Sequence, residues 1–235
     1  MMDRTILITG VGRGIGRGLA EAYLRAGAEV IGTMRDATRA PATFADALGS
    51  GRLVLLEADV RDTDSLAAAA AALRDAPVDV LIACAGIMGE RTADTLHSDP
   101  GAYAEVFDVN VLGVLRTVQA LRPALARAAQ ARGEAKVLVI SSQMGAGTNQ
   151  KSNAMPYRVS KAAANTIARG LATDLAPERI HVAACHPGWV RTEMGGPGAD
   201  IAVEESVAGL MRLVEGLDAQ AAGGFWNWDG RRMAF

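Results

Sequence analysis

The chain has 235 residues, half of them apolar, and carries 24 Lys and Arg against 26 Asp and Glu, a formal net charge of −2. Such a length and apolar content suit one large α/β domain with a sizeable core, and two small domains less well. The balanced charge, without a basic stripe, argues against nucleic acid or an anionic membrane surface as the main partner.

In chain order, the first apolar run, residues 5–9, reads as a strand that starts almost at once and leaves no room for a signal peptide. The segment TGVGRGIG, residues 9–16, leads from it into a helix over 14–26. A second strand follows at 29–33, a short helix at 41–48, a third strand at 53–58 and a helix at 65–74. The alanine run in that last helix is a good helix former with a small packing face. A fourth strand, 78–83, ends at Cys84, and one long helix is predicted over 103–132. The fifth strand, 136–140, opens onto an irregular stretch, 142–154, before a helix at 155–175. The sixth strand, 181–185, opens onto a second such stretch, 188–202, followed by a helix at 203–216 and a short strand at 225–228. The longest apolar stretches are strand-length or alanine-rich, so no transmembrane helix is expected.

Runs such as LVLLEA and KVLVI lack polar–apolar alternation, the mark of parallel strands buried on both faces. Strand–helix alternation then predicts a single doubly wound, Rossmann-type α/β domain over residues 1–235. Its sheet is expected to hold seven parallel strands in the order 3-2-1-4-5-6-7, with helices on both faces. Loops at the carboxyl ends of such strands bind ligands, which puts 142–154 and 188–202 on the functional edge. The two cysteines, Cys84 and Cys185, close strands that have another between them, about 10 Å apart and beyond disulfide reach. Reduced, buried thiols fit a cytoplasmic protein.

Gly10, Gly12, Gly14 and Gly16, with Arg13 and Ile15 among them, form the turn from first strand to first helix. Missing Cβ atoms let the backbone approach a pyrophosphate, and the helix start offers unpaired amides and a positive dipole end. Arg35 follows the second strand, while Met34 stands where an acid would grip the adenosine 2′-hydroxyl. Two arginines and no acid favour a 2′-phosphate, hence NADP(H) over NAD(H). Asp36, one residue further on, keeps a ribose contact and NAD open. Asp59 and Val60, at the end of the third strand, are placed to receive the adenine amino group and ring.

YRVSK sets Tyr157 and Lys161 four residues apart, on one helix face. A nearby ammonium favours phenolate and lowers a tyrosine from its ordinary pKa of about 10, which predicts a phenol tuned to pass a proton beside a cofactor. A lone Tyr-x-x-x-Lys is more often a pair of surface neighbours; its company gives it weight. His97, His181 and His186 lack metal-ligand spacing, so no metal site is predicted.

Five features in order resemble the short-chain dehydrogenase/reductase family along essentially the full chain: TGVGRGIG, Asp59-Val60, Asn110 in VNVLG, Ser142 in ISSQMG with Tyr157 and Lys161, and HPGWVRTEMGG. YRVSKAAAN, HPGWVRTEMGGPGA and FWNWDG resemble its C-factor and sniffer-type carbonyl reductases. The resemblance implies a catalytic set of Asn110, Ser142, Tyr157 and Lys161. Tyr157 would be the acid for reduction and the base for oxidation. Lys161 would hold the nicotinamide ribose and lower the tyrosine pKa, and Ser142 would hydrogen-bond the substrate carbonyl oxygen. Asn110 would hold a water linking Lys161 to solvent. Pro187 and Gly188 would let the chain pass the nicotinamide, Val190 and Thr192 would fix its carboxamide, and Ala85 and Gly86 complete the cofactor set. Ser141 rivals Ser142, and the S-x-x-G spacing favours Ser142. Cys84 stands where the family usually has an asparagine, which puts that residue's strand-bracing role in doubt. The interval from Ser142 to Tyr157 is longer than usual, so its loop must bulge.

The expected function is an NADP-dependent carbonyl reductase or alcohol dehydrogenase, an enzyme acting on a small or medium carbonyl or alcohol. The alternative is a non-catalytic nucleotide-binding regulator or signalling protein on the same fold. A sugar-nucleotide epimerase or dehydratase needs a larger C-terminal domain than the residues after Lys161 supply. Neither nucleic acid nor membrane is an expected partner, and homodimer and homotetramer both stay open. Met88, Met144, Trp189 and Met194 read either as core or as a flexible apolar substrate pocket, with Arg191 and Glu193 facing solvent.

Overall fold

The unalternating apolar runs become strands with both faces covered. The computed structural model describes residues 4–91, 95–148 and 150–235. Its strands are β1 (Thr5–Thr9), β2 (Glu29–Met34), β3 (Leu53–Glu57), β4 (Val80–Ala83), β5 (Ala135–Ile140), β6 (Ile180–His186), β7 (Phe225–Asn227) and β8 (Arg232–Met233). The first seven pair in parallel in the expected order, β3-β2-β1-β4-β5-β6-β7, and β8 adds antiparallel to β7. That eighth strand corrects the expectation of seven. Two residues carry too little pattern to read, and the hairpin that makes the strand depends on Gly230 at φ +91° and on Arg232 lying 5.8 Å from the Trp226 ring centroid.

Successive strand residues point to opposite faces, and the core divides accordingly. Leu7 and Leu81 pack toward α5 (Gly113–Arg132) and α6 (Met155–Leu175), whereas Ile6, Ile8, Val80 and Ile82 pack toward α1 (Gly14–Arg25), α2 (Ala45–Gly49) and α7 (Val203–Glu215). Helix α3 (Thr63–Ala72) lies against α5, and α4 (Pro100–Phe107) against α6. Each such buried aliphatic side chain contributes about 1.5–3 kcal/mol. Among the described residues no helix is long and apolar enough to cross a membrane.

The long helix expected over 103–132 is interrupted. Helix α4 ends at Phe107, a π turn spans Asp108–Leu112, and α5 restarts at Gly113. A Cβ on Gly113 would lie 2.8 Å from Val60 Cγ2, so the restart is fitted against the end of β3 by the absence of a side chain. Hydrophobic periodicity does not reveal such an inserted residue, and π turns are frequent at functional sites. The predicted helix at 41–48 is a 3-10 turn, Ala42–Phe44, running into α2. Cys84 and Cys185 are free thiols with β5 between their strands, as expected. Because the strands run parallel, the loops after β1, β4, β5 and β6 open on one edge.

Two glycines test this packing in opposite directions. On Gly209 of α7, a Cβ would run into the Trp228 carbonyl oxygen and come within 2.8 Å of the indole ring. Gly209→Ala should therefore cost about 1–3 kcal/mol. On Gly170 of α6 a Cβ would meet nothing within 4 Å, and Gly170→Ala should gain about 0.5–1 kcal/mol through helix propensity. Urea denaturation of both variants checks the pair; equal effects would refute the assignment of Gly209 to a close helix–hairpin approach.

Candidate active site

The cofactor side begins at Thr9, whose Oγ1 accepts hydrogen bonds from the amides of Cys84 (3.0 Å) and Ala85 (3.1 Å). That hydroxyl braces the ends of β1 and β4, so the bracing left in doubt by Cys84 comes from the threonine. Gly10 and Gly14 take φ of +79° and +56°, and a Cβ on Gly16 would run into the Gly10 carbonyl oxygen. Here glycine is required for the turn itself. Helix α1 starts with no side-chain cap and no acid in its first turn. Its first amides and positive dipole end therefore face the edge of the sheet beside Gly12, Arg13 and Ile15.

Beyond β2, Arg35 is exposed and makes no ion pair among the described residues, while the Met34 methyl lies 3.3 Å from where a Gly12 Cβ would be. Asp36 is occupied: its Oδ1 accepts from Thr38 N (3.0 Å) and Thr38 Oγ1 (2.5 Å). Asp59 is likewise held, by Arg61, whose Nη2 lies 2.7 Å from Oδ2, and Val60 is buried against Gly113. Arg13 does not stand free either. Its Nη1 lies 2.6 Å from Glu193 Oε2, an exposed ion pair that joins the glycine turn to the loop after β6. Arg191 and Glu193 are exposed as expected.

That loop is folded on itself. Gly188 sits at φ +89° against Trp228, Val190 bridges to Ile201, and Thr192 Oγ1 donates to Val190 O and accepts from Gly195 N. Trp189 Nε1 donates to Gly195 O. Ser206, fully buried on α7, donates to the Pro187 carbonyl at 2.6 Å. His186, just before Pro187, is neutral because burial pulls its pKa down to about 4.

The proton-transfer side is built by α6 against the end of β5. Tyr157 and Lys161 are both buried. Lys161 Nζ donates to the Ile140 carbonyl at 2.8 Å and lies 5.5 Å from the Tyr157 ring centroid. Ser142 accepts from Met144 N and lies where it favours the Tyr157 phenolate. Ser141 turns the other way, its Oγ donating to Lys161 O at 3.2 Å. The two serines thus separate into one that meets the phenol and one that ties strand to helix. Gly145 makes the approach feasible, since a Cβ there would lie 2.6 Å from the backbone of Lys161 and Ala162.

Asn110 arrives from the π turn, fully buried. Its Oδ1 accepts from Ile87 N, and its Nδ2 donates to Ile87 O and to Ser160 Oγ at 3.0 Å. Ser160 in turn donates to Tyr157 O. A Cβ on Gly86 would lie 3.2 Å from Asn110 Oδ1 and 3.6 Å from Lys161 Nζ, so Ala85 and Gly86 leave this corner open. The long loop before α6 is stapled by the buried Arg158, whose Nε and Nη2 donate to Asn153 O and Oδ1. Ser206 lies outside every motif, whereas Thr9 opens TGVGRGIG and Arg158 and Ser160 lie within YRVSK, with no role assigned to them from the sequence.

Burial pushes the Tyr157 phenol up to about 12, against the opposing Ser142 hydrogen bond, and pulls Lys161 down to about 8. The expectation of a tyrosine lowered by its lysine is reversed here. The ammonium is spent on a backbone carbonyl, and desolvation is the larger effect.

A family model described as short chain dehydrogenase matches residues 4–200. The C-signal of Myxococcus xanthus is 39% identical over 160 residues, covering 67% of this chain and 92% of that protein. The NADPH-bound carbonyl reductase from chicken fatty liver superposes with a TM-score of 0.91 at 34% identity, covering both chains in full. The carbonyl reductase Sniffer of D. melanogaster does so with a TM-score of 0.93 at 30% identity, again over both full chains.

The buried lysine sets a pH signature. The fold holds Lys161 near 8 against an ordinary 10.5, so between these values the unfolded chain binds more protons. Its contribution to stability therefore rises with pH across that window and is lost as pH falls through about 8. The difference in urea midpoint between wild type and Lys161→Met should shift toward the wild type from pH 8 to 10.5. A difference flat with pH would contradict a desolvated ammonium.

Proposed function

The chain belongs to the short-chain dehydrogenase family and is an NAD(P)-dependent oxidoreductase, and from that premise we propose that it transfers hydride between NADP(H) and a small or medium carbonyl or alcohol, with Tyr157 as general acid and base. The observation that carries this reading is the buried Tyr157 phenol, with Ser142 placed to favour its phenolate and Lys161 Nζ 5.5 Å from its ring centroid. It lies on the same sheet edge as an uncapped, glycine-lined helix start.

The residues present fit a dinucleotide. Left-handed glycines and free first-turn amides suit a pyrophosphate, and Arg35 and Arg13 suit a 2′-phosphate, with Met34 unable to accept from a 2′-hydroxyl and Asp36 tied to Thr38. The NADPH in the chicken carbonyl reductase points the same way. When bound, the nicotinamide supplies or accepts the hydride.

In reduction, the substrate carbonyl oxygen sits between the Ser142 and Tyr157 hydroxyls. Ser142 donates to it as negative charge develops, and Tyr157 gives up its phenolic proton to form the alcohol. Burial keeps that phenol protonated at neutral pH, the form an acid requires. In oxidation Tyr157 takes the alcohol proton back. Lys161 remains charged at neutral pH and stabilises the phenolate left behind by its field at about one helical turn. Asn110 Oδ1 has one lone pair beyond its bond to Ile87 N, facing the corner shared with Lys161 Nζ. A water held there links the lysine to solvent. Met88, Met144, Met194 and Trp189, on loops along the same edge, supply an adaptable apolar wall.

NADP(H) should bind more tightly than NAD(H), the margin shrinking with salt, and Arg35→Asp should move the preference toward NAD(H). Glu193→Gln, by freeing Arg13, should tighten NADP(H) by up to about five-fold, the worth of an exposed ion pair, and leave NAD(H) unchanged. Fluorescence titration of both cofactors decides this; equal affinity in the wild type would defeat the assignment.

Tyr157→Phe keeps the ring and loses the transferable proton. Turnover of an active carbonyl should fall by about 10²–10⁴ with cofactor affinity maintained. Near-normal turnover in that variant would exclude Tyr157 as the acid.

A further inference from the structure

Phe235 belongs to none of the motifs. It lies beyond β8, is 37% exposed, and has its ring engaged by two elements at once. The fully buried Phe225 ring of β7 stands 6.0 Å away at 42°, and the exposed Arg169 of α6 sets its guanidinium 4.8 Å from the Phe235 centroid. The backbone of Phe235 meets a third element. A Cβ on Gly147, in the loop from Ser142 to Tyr157, would come within 3.2 Å of the Phe235 carbonyl oxygen. One residue thus sits where β7, the helix that carries Tyr157 and the long loop before that helix come together.

That loop is held at both ends. Gly145 fits against the backbone of Lys161 and Ala162, and Ala146 is buried in the same core as Phe225. Arg158 holds the returning end at Asn153 and reaches the Met144 carbonyl at 3.5 Å. Between these anchors the described residues of 147–152 are exposed, and from 148 to 152 every side chain is polar. The stretch therefore brings no apolar side chain of its own to the core. Phe235 abuts it at its first residue.

We infer that Phe235 is a positioning residue of the substrate site: packed on Phe225 and Arg169, it braces the exposed stretch at Gly147, and the loop so braced walls the substrate cleft. The loop leaves β5 on the ligand-binding edge of the sheet, begins at Ser142 and carries Met144. The reacting groups do not need the brace, because Lys161, Ser141 and Gly145 already fasten α6 to the end of β5. Loss of Phe235 should therefore weaken substrate binding and leave the chemical step alone. This substrate effect rests on the reductase reading above; the brace itself does not.

The test pairs kinetics with proteolysis of the full chain. Phe235→Ala should raise KM for an aromatic aldehyde about five- to ten-fold, the worth of one aromatic pair and one exposed cation–π contact. Its kcat and NADPH affinity should stay within about two-fold of the wild type. Phe235→Tyr keeps the ring and should restore KM. Arg169→Gln should raise KM about two- to five-fold, and should add little to Phe235→Ala in the double variant, since the two residues share one contact. Limited trypsin digestion, scored by mass spectrometry, examines the loop without turnover. Cleavage after Lys151, within the braced stretch, should quicken in Phe235→Ala, because cleavage tracks the population of the open form. Cleavage after the exposed Arg91, on the loop after β4, should not change. An unchanged KM would overturn the inference. So would equal acceleration at both cleavage sites, the mark of general loosening, or a fall in kcat that matches the rise in KM. A wild type that reduces no carbonyl would instead strike the reductase reading, and the comparison of Lys151 with Arg91 would then by itself uphold or overturn the brace.

Discussion

The site depends on how helix α6 is fastened to the end of strand β5. Lys161 Nζ bonds the Ile140 carbonyl, Ser141 Oγ bonds the Lys161 carbonyl, and Gly145 lets the two backbones come together. All of this lies in the buried interior, where an unmade hydrogen bond costs about 1–3 kcal/mol. The fastening leaves little freedom in rotation or register. Tyr157, one turn earlier, is consequently delivered to Ser142. The same contact explains the inverted pKa pattern: a lysine used to lock a helix in a dry place is a weaker acid-tuning group than its spacing suggests.

Around this joint, neighbouring elements are bound by buried and half-buried polar side chains. The π turn swings Asn110 into reach of Ile87 and Ser160, and Ser160 closes onto Tyr157 O. Thr9 spans β1 and β4 where Cys84 has no amide side chain to offer. Arg158 staples the long loop that precedes Tyr157. The bonds at Asn110, Ser160 and Thr9 are short and shielded. They hold the groups facing the cofactor more firmly than exposed ion pairs hold the rim.

The rim is built differently. Arg13, on the turn after β1, and Arg91, on the loop after β4, tie consecutive residues of one loop, Glu193 and Met194, and both ties are exposed. An exposed ion pair such as Arg13–Glu193 contributes about 0–1 kcal/mol, small enough for a bound phosphate to displace it. A rigid interior joint with weakly latched loops above it suits a site that must admit and release both a dinucleotide and a substrate.

The sequence by itself determined the parallel order of seven strands, the glycine turn, the edge on which the loops converge and the Tyr157–Lys161 pair. Each of these is local: a strand buried on both faces, a missing Cβ or an i, i+4 spacing is written in adjacent residues. Spacing alone also favoured Ser142 over Ser141 for the serine role. Only the tertiary structure decided which partner each polar atom takes. Asn110 meets Ser160 across fifty residues of chain, Arg13 meets Glu193 across 180, and the π turn and β8 arise from fits against Val60 and Trp226 that no periodicity encodes. The direction of the Tyr157 and Lys161 shifts belongs to the same class. A pKa follows the balance of burial against nearby charge, and burial exists only once the chain has folded.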